Sequence, residues 1–285
     1  MPSVDIILSC KDAESTIVEC INSILNQSFE NINLFVFDDF STDSTVDKVL
    51  TFKDKRVTLI KSSKNIGTYA AKNYVLKNFC TSKYVALHDA DDISLPTRIE
   101  KQVKILEEDL SVSCLGTGVM EFLEAEFSPH TLSNKKFINN ERVNFYPEYI
   151  DSSQLNEIHK LLSNEERYPE YLTKKFCMNG TVMFRKADLD KLGGWDGSTR
   201  IAGDTEIFLR SLVLGNIKNI PEVLYRRRFH NNSLTASKTV GIGSEKRKKY
   251  NISLADIVNN CSKGMLYTRN MFFPDVEVKV INCAD

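Results

Sequence analysis

At 285 residues, with 42% hydrophobic residues and a formal net charge of −1, the chain can bury a sizeable core, is not disordered by composition and lacks the basic balance expected of a nucleic-acid binder. Its seven cysteines are odd in number and contain no C-x-x-C pair, which argues against a disulfide framework or a zinc site and for reduced thiols in a cytosolic compartment. No apolar run approaches the ~18 residues of a membrane span, and Met1-Pro2-Ser3-Val4-Asp5 carries no basic leader, so the expected location is cytoplasmic, with peripheral attachment to the inner face of a membrane left open.

Ile6-Ile7-Leu8 reads as a short buried strand, followed by Ile17, Cys20, Ile21, Ile24 and Leu25 at helical spacing. Leu34-Phe35-Val36-Phe37 starts the same unit again, ending in Asp38-Asp39, after which Ser41, Thr42, Asp43 and Ser44 offer N-caps to a helix carrying Val46, Val49 and Leu50. Val57-Thr58-Leu59-Ile60 is a third strand, and Tyr69 to Phe79 a helix with Ala70, Ala71, Tyr74 and Val75 inward. A fourth strand, Tyr84-Val85-Ala86-Leu87, runs into His88-Asp89-Ala90-Asp91-Asp92. Ser94-Leu95-Pro96 opens the next helix, with Ile99, Val103, Ile105 and Leu106 roughly on one face, and Ser111 to Gly116 reads as a further strand. Strands alternating with helices imply right-handed crossovers and a mainly parallel sheet, whose ligands bind at the carboxyl ends of the strands.

From about Glu124 to Thr173 the pattern loosens, with one amphipathic candidate at Ser152 to Leu162, and this stretch is expected to be an insertion over the open edge of the sheet. Regular structure resumes with Thr181-Val182-Met183-Phe184 and Gly193-Gly194-Trp195-Asp196, then a helix from Thr205 carrying Ile207, Phe208, Leu212 and Val213, then a strand at Val223-Leu224-Tyr225. Beyond His230 the chain is polar, with Lys246-Arg247-Lys248-Lys249 and a last apolar alternation at Val276, Val278 and Val280. Residues 1–123 and 124–235 are therefore taken as two halves of one domain, with 236–285 as a C-terminal extension.

The acids after Leu87 are the sharpest chemical signal. Asp89 and Asp91, two apart in an extended chain, point to the same side at the ligand edge, and like charges so close cost energy unless a cation or proton offsets them. A divalent metal offsets them.

Several further motifs recur with this one in a fixed order. Ser9-Cys10-Lys11-Asp12, Asp38-Asp39-Phe40-Ser41-Thr42-Asp43-Ser44, Gly67-Thr68-Tyr69-Ala70-Ala71-Lys72-Asn73, Asp89-Ala90-Asp91-Asp92, and Gly193-Gly194-Trp195-Asp196 followed by Gly203-Asp204-Thr205-Glu206 together resemble the family 2 inverting glycosyltransferases of the GT-A fold. The departures are Ser9 for Pro, Phe40 for Gly, Lys72 for Arg and Gly203 for Glu. The resemblance implies a GT-A α/β domain, with a nucleotide-sugar-binding half at 1–123 and an acceptor-binding, catalytic half at 124–235. It also implies transfer from a UDP-sugar to a glycan, polysaccharide or lipid-linked acceptor, in polysaccharide synthesis.

The resemblance assigns Mn2+ or Mg2+ to Asp89 and Asp91, where hard carboxylate oxygens neutralise the departing diphosphate; Asp92 divides between ligand and loop support. It implies that Asp39 accepts the uracil ring N–H, that Ser9 faces the base, and that Lys72 replaces a nucleotide-contacting arginine without its bidentate fork; a solvated lysine is the alternative for Lys72. Asp204 is the candidate general base for the acceptor hydroxyl, or a cap of the helix that follows. Trp195 reads as a platform for an acceptor sugar or as a core anchor, and Glu206 as an acceptor ligand or part of a cap. His230 reads as a third metal ligand, as a group closing over the diphosphate, or as structural. Of Arg226-Arg227-Arg228, at least one is expected to face the diphosphate. Lys246 to Lys249 form a solvated face or meet an anionic membrane, and the C-terminal extension could mediate homo-oligomers or hold a partner domain.

A non-catalytic sugar-nucleotide-binding or assembly module of a larger polysaccharide synthase is the alternative function. A phosphohydrolase or NAD-binding reading fits less well, because no glycine-rich phosphate loop follows Ile6-Ile7-Leu8.

Overall fold

The protein's structure, a computed structural model, describes residues 3–124, 137–155, 176–230 and 244–284. Four strands, β1 (Val4–Cys10), β2 (Ile32–Asp38), β3 (Val57–Ser62) and β4 (Tyr84–Asp89), form a parallel set in the order β3-β2-β1-β4. Chain order reverses direction at β1, which pairs with β2 on one side and β4 on the other. That switch point opens a crevice beyond the carboxyl ends of the strands. In register, Ser9 stands opposite both Phe37 and Asp89.

Strand alternation sorts the core into two layers. Ile7, Phe35, Phe37, Val85 and Leu87 face one side, together with Ala70, Ala71 and Val75 of helix α3 (Thr68–Asn78). Ile6, Leu8, Leu34, Val36 and Ala86 face the other, against α1 (Ile17–Leu25) and α4 (Arg98–Glu108). Between them α2 (Thr45–Val49) is a short connector. Pro96 lies just before the first turn of α4, whose N-cap is Thr97.

Beyond β4 the sheet is mixed. β9 (Met183–Arg185) runs antiparallel to β4 and to β6 (Val112–Leu123), and β6 pairs in parallel with β10 (Asn216–Phe229). β10 is far longer than the strand expected at Val223 to Tyr225, because register shifts around Ile220, Val223 and Tyr225 let the ladder pass Pro221, which has no N–H to donate. The two-residue β5 (Ile93–Ser94) pairs with β10. Of the expected insertion, β7 (Glu141–Asn144) and β8 (Tyr149–Ile150) pair with β6 and β10. The amphipathic candidate shows a 3-10 turn at Ser152–Gln154 and a buried Leu155; its remainder lies outside the described residues.

Helix α5 (Lys186–Leu192) ends at Gly193 in the left-handed region, and α6 (Gly203–Ser211) follows the Gly-Gly-Trp-Asp segment. Two later helices, α7 (Glu245–Ile252) and α8 (Ala255–Ser262), precede an irregular run to β11 (Val278–Asn282). β11 pairs antiparallel with β3, so the segment expected as a C-terminal extension contributes a strand to the sheet, at the edge beside β3. All seven cysteines are free and buried. Among the described residues no helix is long and apolar enough to cross a membrane.

Candidate active site

The end of β4 separates the three carboxylates. Asp89 is half-buried, its amide donates to Tyr225 Oη at 3.2 Å and its Oδ1 accepts from Asn179 Nδ2 at 3.3 Å. Burial raises its carboxyl above the ordinary range; Lys72 opposes the rise and Asp91 adds to it. Asp91 Oδ2 lies 2.9 Å from His230 Nε2. Burial is the largest influence on Asp91 and works to raise it, but the bond and charge of His230, an amide of its own loop and the charge of Arg227 together hold that carboxylate below its usual range. Asp92 is buried and accepts the Arg228 amide at 2.8 Å. That bond ties the loop after β4 to β10. His88 is buried and neutral, burial carrying its pKa down to about 3, with Nδ1 2.8 Å from the Asp89 carbonyl oxygen.

Across the crevice, Asp39 organises the loop before α3. Its carboxylate accepts from Ile66 N at 2.6 Å, Gly67 N at 2.8 Å and Asn65 Nδ2 at 2.9 Å. Gly67, at φ +91°, needs the freedom of glycine there. Asp38 is buried and receives Ser41, through its amide at 3.3 and 3.4 Å and through its side chain. Phe40, which stands in the motif where glycine is usual, holds φ +67° and leaves its ring half in solvent. Ser9 is partly exposed beside Asp89.

Lys72 is not the solvated lysine that was one of its two readings. It is 2% exposed on α3, and burial lowers its ammonium's pKa against the pull of Asp89 and Asp204. Asp204 lies in the first turn of α6; the N-cap position is held by Ala202, at φ +52° and without a side-chain cap. Capping is therefore not its task, and a carboxylate there is favoured by the helix dipole. Tyr69 Oη is 3.4 Å from Asp204 Oδ1.

Two acceptor assignments are corrected by burial. Trp195 is 0% exposed, its ring edge-on to Phe184 at 6.3 Å, so it is a core anchor and offers no face to a sugar. Glu206 is also fully buried, bound by Arg210 at 2.8 and 2.7 Å and by Arg269 at 2.7 Å. Its carboxylate is spent on these arginines, and Arg210 in turn donates to the carbonyls of Leu192 and Gly194.

The arginine triplet divides by strand alternation. Arg226 faces out to Glu141 at 3.2 Å, and Arg228 donates to the Asp91 carbonyl at 2.9 Å. Arg227 turns inward, 3.5 Å from Glu121 and within the field of Asp92 and Asp89.

Several site residues were not singled out by motif reading. Arg200 donates to the Asn65 carbonyl at 3.2 Å and to its side chain, linking the loop before α6 to the loop held by Asp39. Asn73, quoted in a motif but given no role, bridges α3 to the Trp195 backbone in both directions at 2.9 Å. Tyr69 is adjacent in the same motif. What could have marked them is their position in the first turns of α3, one and five residues from Thr68, at the end of the helix nearest the crevice.

Comparison with known proteins places this arrangement. A family model described as Glycosyl transferase family 2 matches residues 5–193. Over 103 residues the chain is 37% identical to WfgD of Escherichia coli, a UDP-Glc:alpha-D-GlcNAc-diphosphoundecaprenol beta-1,3-glucosyltransferase, covering 36% of this chain and 40% of that one. The fold is similar to S. aureus TarS 1-349 in complex with UDP-GlcNAc (TM-score 0.59, 18% identity, 81% of this chain and 60% of that one). It is also similar to the mannosyltransferase PcManGT from Pyrobaculum calidifontis, in complex with GDP-Man and Mn2+ (TM-score 0.55, 19% identity, 81% and 58%). The architecture is thus a GT-A fold. The chain spans less than half the length of several curated relatives that it matches, 45% of one and 30% of another.

Proposed function

The chain belongs to glycosyl transferase family 2, and from that premise we propose that it transfers a sugar, with inversion, from a UDP-sugar to a hydroxyl of a glycan, polysaccharide or lipid-linked acceptor. The observation that carries this reading is Lys72: one buried ammonium lies in the fields of both Asp89 and Asp204. Asp89 and Asp204, far apart in sequence, thus share a buried cation, which supports reading them as the donor side and the base of one site.

In this reading Asp39 accepts the uracil N–H with lone pairs left over from the Asn65 to Gly67 loop, and Ser9 lies beside the base. Lys72 and Arg227 supply positive charge to the diphosphate, and binding the donor orients its anomeric carbon toward Asp204. Asp204 takes the proton of the acceptor hydroxyl as that oxygen bonds to the anomeric carbon. The bond to the diphosphate breaks on the opposite face, which gives inversion.

The donor set suits a hard divalent ion such as Mn2+ or Mg2+: carboxylate oxygens from Asp89 and Asp91, with the His230 imidazole beside them. Burial is the main cause of the raised Asp89 carboxyl, and the negative charge of Asp91, which adds to it, is what a cation would offset. Among the described residues no group of three His, Cys, Asp or Glu is set to hold an ion by itself, so Asp91, with Asp89 and His230, would hold it jointly with donor oxygens. When bound, the ion supplies Lewis-acid stabilisation of the departing diphosphate.

Asp204→Asn is the test. Transfer should fall by about 10²–10⁴-fold, the usual worth of a general base, while UDP binding persists; unchanged turnover sinks the assignment. The chain's partial coverage of its relatives favours one second reading, a donor-binding module of a larger synthase. A panel of UDP-, GDP- and dTDP-sugars assayed for Mn2+-dependent hydrolysis separates the two, since a module without catalysis hydrolyses none of them. Lys246 and Lys249, exposed on α7, suit association with an anionic leaflet carrying a lipid-linked acceptor, which sedimentation with anionic vesicles would register.

A further inference from the structure

Gly203 occupies the position where the motif of similar chains has glutamate, and its neighbourhood gives a physical reason. A Cβ at Gly203 would lie 3.0 Å from Tyr69 Cδ2 and Cε2 and 3.1 Å from Cε1. Those contacts are tighter than ordinary packing, so a side chain at 203 would make the tyrosine ring give by a few tenths of an ångström. Tyr69 is 7% exposed in the first turn of α3, with Lys72 Nζ 5.3 Å from its ring centre. Its hydroxyl is the group that reaches Asp204 Oδ1, at 3.4 Å.

We infer that Tyr69 is the positioning residue for the base: its ring fills the space a side chain at 203 would take, and its hydroxyl donates to Asp204, fixing which oxygen faces the acceptor. The inference rests on the reading of Asp204 as the base.

The contact is long for an O–H···O bond, whose usual length is about 2.7–2.8 Å, but catalytic hydrogen bonds commonly tighten only with substrate present. An aspartate in the first turn of a helix can rotate about two side-chain bonds. A phenol donating to Oδ1 removes that freedom and leaves Oδ2 for the acceptor proton. Donation also favours the ionised carboxylate, the form that works as a base. Lys72, Asp89 and Cys177 are the other titratable groups near Asp204. Tyr69 and Gly203 form one unit: the glycine lets the tyrosine ring sit close, and from that seat the hydroxyl reaches the base.

The test compares Tyr69→Phe, Gly203→Ala and Asp204→Asn for kcat, donor KM, the pH profile of kcat/KM and UDP affinity. Tyr69→Phe keeps the ring and its packing. It should lower kcat by about tenfold, the worth of one hydrogen bond to a charged group, with donor KM and UDP affinity unchanged and the acid limb of the profile moved to higher pH. Gly203→Ala should show the same kcat loss, because its methyl group must push the ring aside. Wild-type kcat in Tyr69→Phe overturns the inference, and so does a kcat loss without displacement of the acid limb, which lost packing alone would give. If Asp204→Asn still transfers sugar, the base reading itself fails; if it is dead while Tyr69→Phe is normal, only the positioning role fails.

Discussion

Asp38 and Asp39 are both buried and both raised by that burial, but they differ in their donors. Asp39 accepts from two loop amides and Asn65, whereas Asp38 receives Ser41, whose amide lies at 3.3 and 3.4 Å. Burial raises the Asp38 carboxyl above its ordinary value of ~3.9. For an acid raised in the fold, the cost to stability is present above the folded pKa and fades as the pH falls through it. Asp38→Asn, which can still accept from Ser41, should therefore raise Tm by a few degrees at pH 7 and by less at pH 4. An equal gain at both would mean that charge is not the cause. Glu206 gives the reverse case. Glu206→Ala leaves the fully buried Arg210 without its counter-ion, and removing one partner of such a pair costs on the order of 3–5 kcal/mol, to be read from the denaturant midpoint. The clue to its burial was in the sequence: Glu206 and Arg210 are four apart, next to the apolar Ile207 and Phe208.

Elements were more legible than side-chain roles. Each parallel strand is a short β-branched or aromatic run ending in polar residues, so β1 to β4 and the crevice at their carboxyl ends follow from pattern alone. α3 was harder, because it is buried on nearly all sides: Tyr69, Lys72 and Asn73 lie inward along with Ala70, Ala71 and Val75. Hydrophobic periodicity cannot reveal an inward lysine whose partners, Asp89 and Asp204, come from other elements. At the opposite edge, the Val276, Val278, Val280 alternation stood out in the sequence without showing a strand or its partner, and the strand itself begins only at Val278. β11 covers β3, with the Cys283 amide bonded to the Val57 carbonyl at 3.0 Å and the Cys283 side chain buried. Deleting residues 277–285 should cost on the order of 2–4 kcal/mol, the worth of one or two buried apolar side chains, and promote aggregation through the bared edge of β3. An unchanged unfolding midpoint would show that β11 is dispensable.

On the scale of the whole molecule, the site is assembled from segments that have little to do with one another in sequence: the strand ends of the first half, the first turns of α3 and α6, and the inward side of β10. The motifs named most of these pieces because each carries chemistry within a few residues. They could not show which acids are spent internally, since that depends on the arginines and amides the fold brings up from elsewhere. If the assembled site works as one, its occupancy must show as global stability. A ligand that binds only the folded state stabilises it by about 2.7 kcal/mol at a concentration a hundredfold above its Kd. UDP with Mn2+ should accordingly raise Tm by roughly 5–10 °C at that saturation, and chelating the metal should remove part of the gain. Asp91→Asn should abolish the Mn2+-dependent part while keeping the shift given by UDP alone, because the uracil contact proposed for Asp39 lies across the crevice. If chelation leaves the wild-type shift intact, the acids of β4 serve the diphosphate by some means other than a metal, and Lys72 and Arg227 become the only cations proposed here to stabilise it.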